Sequence, residues 1–256
     1  MLDLQTLLSA QLFPLLLVFA RLGSAFAMLP GIGEVVIAGR SRLLLALSVS
    51  LVVAPVVSSS LPPLPASPAD LLALVGGEIV VGLFLGTTAR LMLIVLEEAG
   101  SIISIQTGLS SAQVFNPGLA NQSALTGAIL MTLGVVVIMA TNLHLVAITA
   151  IIDSYTLFRP GQPLMWEDLA HVVVKLVSHG FLIAVQIAAP YFVLGILFFT
   201  ALGVMARLMP QVQVFFIALP VQVMGGLLIF ALTLSAGMMW WLSFYEAGLR
   251  IYLAPR

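Results

Sequence analysis

Charge is missing from most of this chain. Long apolar stretches run at about 12–29, 43–57, 71–96, 124–152, 170–206 and 212–246, and polar residues gather in the gaps between them. A bilayer core takes about 20 apolar residues of helix, within a range of roughly 17–25. Helices and closed barrels are the structures that satisfy their own backbone in lipid, and stretches this long are helical rather than strand-like. The pattern therefore predicts an all-α integral membrane protein with about six long apolar helical segments. Composition agrees: 61% of residues are hydrophobic and 7% charged, against roughly 45–50% and about 25% in ordinary soluble domains. Lipid or neighbouring protein must cover what so few charges cannot solvate.

The second stretch is short for a span and the last two are long. Pro190 and Pro220 fall inside those two, and a proline removes a backbone donor and crowds the preceding turn. Kinks are expected there, each segment being either a bent helix or a helical hairpin. The N-terminal stretch reads as a retained helix rather than a removable signal, because Asp3 is unaccompanied by Lys or Arg and Arg21 interrupts the apolar run. The chain is expected to form one polytopic membrane domain over 1–256. Its orientation stays open, since either choice leaves Arg40, Arg42 and Arg207 on one side and Arg159, Arg250 and Arg256 on the other.

The connections differ in kind. SSSLPPLPASP, Ser58 to Pro68, is an extended loop set by its prolines. Residues 153–169 form a charged, Pro/Gly-containing loop, and RLMPQVQ from Arg207 to Gln213 separates the last two segments. Ser101 to Ser123 is unlike these: it is rich in Gly, Ser, Gln and Asn with apolar residues interspersed, and suits neither lipid nor plain solvent.

Several function classes are excluded. A net charge of −1 without a run of Lys or Arg leaves no electrostatic footprint for nucleic acid. The absence of cysteine removes disulfides, thiolate metal sites and Cys nucleophiles. His144, His171 and His179 have no metal-ligand spacing, and no nucleophile elbow or phosphate loop is present. Lys175 and His179 read as a polar helix face. No catalytic, cofactor-binding or metal residues are assigned, and the chain is not expected to be an enzyme. A stand-alone secondary transporter of a small solute is the alternative function, although no two related halves with matching broken segments are visible.

A charge inside an apolar segment costs at least about 2.5–3.5 kcal/mol unless paired or hydrated. Arg21, Glu78, Arg90, Asp153 and Lys175 are such charges. Either Glu78 serves an ion or proton pathway, or Glu78 and Arg90 pair with another helix or subunit or lie near an interface. Glu97 and Glu98 read as a hydrated helix end. Small residues recur at helical spacing, at Gly82 and Gly86 and again at Gly100, Ser104 and Gly108, which lets backbones approach closely.

Four blocks, in order and across nearly the whole chain, resemble the FliR family of flagellar and type III secretion export-gate proteins. The first runs from Arg21 through Pro30 and Arg40-Ser41-Arg42 to Pro55. The second joins EIVVGLFLG, Glu78 to Gly86, to EEAGSIISIQTGLSSAQVFNPG, Glu97 to Gly118. The third is Asn142-Leu143-His144, and the fourth is ALGVMARLMPQVQVFFIALP, Ala201 to Pro220. Asn116 stands where the family often has Asp, and Ala218-Leu219-Pro220 where Gly-Phe-Pro is frequent.

The resemblance implies a subunit of a helical export gate in the bacterial inner membrane, at a flagellar basal body or type III secretion base. Its partners would be FliP-like and FliQ-like membrane subunits, with FlhB-like and FlhA-like export proteins alongside, and unfolded exported polypeptides would pass through the shared channel. It further implies that 101–123 is a pore-plug loop. Gln106, Gly108, Leu109, Ser110, Val114, Phe115, Asn116, Pro117 and Gly118 are its candidate residues, the apolar ones forming the seal and the polar ones satisfying backbone groups. Assembly or packing candidates are Arg40, Glu78, Gly82, Gly86, Arg90, Gly100, Arg207, Pro210, Gln211 and Pro220.

Overall fold

The computed structural model describes residues 12–110, 125–209 and 214–253. Among these the regular elements are helical: α1 (Phe13–Met28), α2 (Gly39–Val57), α3 (Pro68–Gln106), α4 (Leu125–Ala140), α5 (Leu143–Leu157), α6 (Trp166–Leu208) and α7 (Val214–Arg250), with a 3-10 turn at Ser58–Ser60. Four helices are long and apolar enough to cross a membrane, and α4 with α5 would make a fifth span if the bent pair counts as one. The remaining apolar segment, α1, has 16 residues and reaches about 24 Å at 1.5 Å per residue, short of a full hydrocarbon core. Each of the six apolar stretches in the sequence thus corresponds to a helix or a bent pair.

The breaks fall where prolines do not. Pro190 and Pro220 lie within α6 and α7, and each helix runs on through its proline as one element rather than folding into a hairpin. The stretch 124–152 instead breaks at Thr141 and Asn142, with a bend of 74° between α4 and α5. Asn142 has φ 59°, ψ 18°, the left-handed conformation that Asn tolerates better than other side chains with a Cβ. A proline inside a helix withholds one donor and crowds the preceding turn but leaves its own φ helical, whereas one left-handed residue turns the chain.

The chain divides into two compact units. One comprises Met1–Leu91, Val135–Leu176 and Tyr245–Arg256, the other Met92–Gly134 and Val177–Phe244. In the first, α1 packs along α2 and buries Leu17, Val18, Arg21, Leu22, Ala25 and Phe26, a stripe at helical spacing. α3 meets α1 at Gly82 and Gly86: a Cβ on Gly82 would collide with the Arg21 carbonyl and the Ser24 hydroxyl, and one on Gly86 would lie 2.5 Å from the Ala25 carbonyl oxygen. The small-residue pair read from the sequence is therefore a helix contact within the chain. The turn after α1 is held by Arg42, whose guanidinium donates to the carbonyls of Ile32 (3.1 Å) and Glu34 (3.0 Å).

In the second unit, Trp241 is fully buried and its indole N–H donates to the Met92 carbonyl at 2.8 Å. Gly100 lies against Gly127 so closely that a Cβ would overlap the Gly127 backbone, and Thr126 Oγ1 donates to the Gly100 carbonyl at 2.5 Å. Tyr191 and Thr233 share a hydroxyl–hydroxyl bond of 2.9 Å. Coverage by the chain itself is uneven: 56% of the most apolar window of α3 is buried, but only 17% of that of α7. α7 therefore offers most of its apolar surface to lipid or to other protein.

Candidate functional site

Two places concentrate polar chemistry among apolar helices. The first belongs to the first unit. Arg21, wholly shielded from solvent, sends Nε to Glu78 Oε2 at 2.7 Å and Nη2 to Glu78 Oε1 at 2.9 Å, a bidentate pair. Nη1 donates to Ser154 Oγ at 3.0 Å and Nη2 again to the Phe158 carbonyl at 2.8 Å. The guanidinium carbon stands 3.8 Å from the centre of the Tyr155 ring, a cation–π geometry.

One arginine thus ties α1 to α3 and to the end of α5, where a cation also meets the negative end of the helix dipole. Phe158 is steadied by an edge-on contact with Phe84, which meets Tyr252 in the same way. Burial pushes the Tyr252 phenol above its ordinary pKa, against a smaller downward pull from its hydrogen bond with Thr88. An open cleft of about 620 Å³ reaches the pair, with Asp70 and Arg159 also on its walls. Both oxygens of Glu78 are thus held by Arg21, so the pair attaches α3 to α1.

Arg90 pairs with Glu34 at 3.5 Å. The two sequence charges singled out for pairing therefore find their partners within this chain. Ser154, Tyr155 and Phe158 were not legible from sequence as parts of a charge site. Their only signal is position, at the end of an apolar helix that has to cap its own carbonyls.

The second place is the root of the polar segment. α3 does not stop at Glu97 and Glu98, as the charge pair suggested, but continues to Gln106. Ser101 to Gln106 are therefore helical, and only from Thr107 does the segment leave the helix. The reason is local: the apolar and small positions Ala99, Gly100, Ile103 and Ser104 keep one face buried, so the helix gains by continuing past its charges.

Gly108 ends it with φ +75°, a conformation that favours glycine. Thr107 N–H closes the last α-turn on the Ile103 carbonyl at 2.9 Å, and Ser110 N–H reaches back to the Ser104 carbonyl at 3.2 Å. Gln106, Gly108, Leu109 and Ser110 are half-buried here. Gln222, 6% exposed on α7, donates from Nε2 to the Gln106 carbonyl at 2.9 Å. Gln222 was missed from sequence, although a lone amide in an apolar helix carries the same cost argument as a lone charge.

Val114, Phe115, Asn116, Pro117, Gly118, Pro210 and Gln211 lie outside the described residues. Arg40 and Arg207 are exposed, as is Pro220 on α7. Lys175 and His179 are both exposed on α6. Among the described residues no group of His, Cys, Asp and Glu could hold a metal ion.

Comparison with known proteins gives this architecture a family. Bacterial export proteins, family 1, match residues 12–248. The flagellar biosynthetic protein FliR of Caulobacter vibrioides is 39% identical over 242 residues, 94% of this chain and 96% of that protein. FliR of Bacillus subtilis is 30% identical over 83% of each chain. Yop proteins translocation protein T of Yersinia pestis is 29% identical over 80% of each. With the family matched across nearly its whole length and several apolar helices fit to cross a membrane, the chain is a multi-pass membrane protein that belongs to family 1 of the bacterial export proteins, the FliR family.

Proposed function

We propose that this chain is a subunit of a flagellar or type III export gate in the inner membrane. There it would assemble with FliP-like and FliQ-like subunits and stand alongside FlhB-like and FlhA-like proteins. In this reading unfolded polypeptides pass through the shared channel, and the segment beginning at Thr107 closes it at rest. The chain performs no chemistry: its part is to seal and to yield. Membership of an export family speaks against a stand-alone small-solute transporter.

The observation that carries the plugging role is the root of that segment. A polar, glycine-terminated stretch leaves an apolar helix at Thr107, which is 1% exposed. Irregular backbone at membrane depth is tolerated where protein buries it or where it lines a cavity. A segment anchored at a buried root and rich in Gly, Ser, Gln and Asn meets that condition in a pore. It would be poorly placed in lipid.

The test is ion flux through assembled gates reconstituted in vesicles. Removing Gly108 to Gly118 is expected to make them leak while FliP-like and FliQ-like chains still copurify. Tight vesicles after that deletion would end the plug assignment. Arg207, exposed in the last turn of α6, belongs in this reading to an assembly element with Pro210 and Gln211. Arg207→Ala is expected to lower recovery of the complex, and unchanged recovery and secretion would remove that role.

A further inference from the structure

The geometry points to Gln222 as a latch that fixes the resting position of the polar segment, an inference that rests on the plugging role proposed above. The last carbonyls of a helix have no intrahelical donor. At the end of α3 the Gln106 carbonyl takes its donor from Gln222, 116 residues away on α7. The same carboxamide also sits over Gly108, where an added Cβ would lie 3.2 Å from its Cδ and Oε1.

Two notches complete the arrangement. A Cβ on Gly226 would overlap the Thr107 side chain and stand 3.2 Å from the Thr107 Cα, and a Cβ on Gly195 of α6 would overlap the Gln106 Oε1. Gln106, Thr107 and Gly108, the last helical residue and the first two beyond it, are thus each met by α6 or α7. Gln222 is a single neutral donor in this contact, so parting it from the Gln106 carbonyl breaks one hydrogen bond and separates no charges. Such a hold is strong enough to set a resting state and weak enough to release when a polypeptide pushes on the segment.

The experiment uses assembled gates in vesicles, with ion flux and amide hydrogen exchange at Thr107 to Ser110 as the two readouts. Gln222→Met keeps length and apolar packing but loses the donor. It is expected to raise ion leak and to speed exchange about tenfold. Gln222→Glu supplies a second, sharper readout. Its protonated acid can donate to the Gln106 carbonyl, whereas its carboxylate cannot, so leak should be low at acidic pH and climb as pH rises. The unaltered protein, tested over the same range, controls for Glu97, Glu98, His179 and Arg207, the titratable and charged groups that α3 and α6 bring to this unit.

If Gln222→Met does not assemble, Gln222→Glu purified at low pH serves in its place. Normal exchange and tight vesicles in Gln222→Met, with the Gly108 to Gly118 deletion leaking, would overturn the latch and leave the plug standing. Faster exchange without leak, the deletion again leaking, would overturn the latch as a control on sealing. Faster exchange in a gate that stays tight even after the deletion would uphold the latch and remove the plug.

Discussion

The two polar sites solve the same problem in opposite ways. In the first unit a full positive charge and a full negative charge are buried against each other, and four hydrogen bonds from Arg21 fix three helices. The contacts that bind the helices of the second unit at the root of the polar segment and at Trp241 are of another kind: a Gln amide, Thr hydroxyls and an indole each donate to backbone carbonyls. A buried ion pair is costly to break, since either partner alone is left as an uncompensated charge. A neutral hydrogen bond opens at lower cost, about 1–3 kcal/mol even where a partner stays buried and unpaired. The first arrangement suits a fixed joint between helices, and the second is compatible with the release proposed above for the polar segment.

The largest effect should therefore come from splitting the pair. Arg21→Met strands Glu78, and a loss of about 3–5 kcal/mol is expected, read as a collapse in the yield of folded protein and a lower melting temperature in detergent. Adding Glu78→Leu should recover much of that loss, because the remaining charge goes too. If the double variant is no better than the single, the pair is not the main lock of this unit.

Next come the close helix approaches, where the two units should behave alike. Gly82→Ala puts a methyl into the Arg21 carbonyl and Gly100→Ala puts one into the Gly127 backbone. Neither neighbour can swing aside, so each should cost about 1–3 kcal/mol by overpacking. Gly76→Ala and Gly77→Ala on the same helix meet nothing within 4 Å, and there alanine should help by up to about 1 kcal/mol through helix propensity. Thermal unfolding of the four variants checks the ranking. Equal effects at Gly76 and Gly82 would show that α1 and α3 are not in tight contact.

Much of this was legible in advance, and the exceptions have physical reasons. Apolar run length placed the helices because burial from water is a property of the segment and survives whatever covers it. The pairing of Glu78 with Arg21 was not legible, since spacing along one helix says nothing about which other helix supplies the counter-charge. Glu97 and Glu98 suggested a helix end, yet charge at the surface does not stop a helix whose opposite face stays buried. The prolines left a bent helix or a hairpin open for α6 and α7, and each is one continuous helix, while the 74° bend came at Asn142, where a single left-handed residue redirects the chain. Gln222 went unnoticed because one amide hardly changes the hydropathy of α7. Its importance comes from the carbonyl that it meets.

The notches beside the latch should show smaller, graded effects. Gly226→Ala drives a methyl into Thr107, whose Cα stands 3.2 Å away, so the root of the segment must shift. Gly195→Ala meets the Gln106 carboxamide, Oε1 and Cδ, the end of a flexible side chain that can rotate aside. Leak through assembled gates is expected in the first and much less of it in the second, with unfolding of both close to that of the unaltered protein. Equal leak from the two would mean that the Gln106 side chain, and not the Thr107 backbone, sets the resting position.

The smallest effect marks the other limit of the comparison. Glu246 and Arg250 pair at 2.6 Å along one helix, with side chains 44% and 69% exposed. The pair carries the same charges as Arg21 and Glu78 at a similar distance, but water already solvates both partners. Exposed pairs at this spacing contribute about 0.3–0.5 kcal/mol, so Glu246→Gln should move the melting temperature by little, and added salt should shrink even that difference. A loss approaching that of Arg21→Met would mean that the end of α7 is covered in the assembled protein. Burial would then have turned an ordinary surface pair into a second lock.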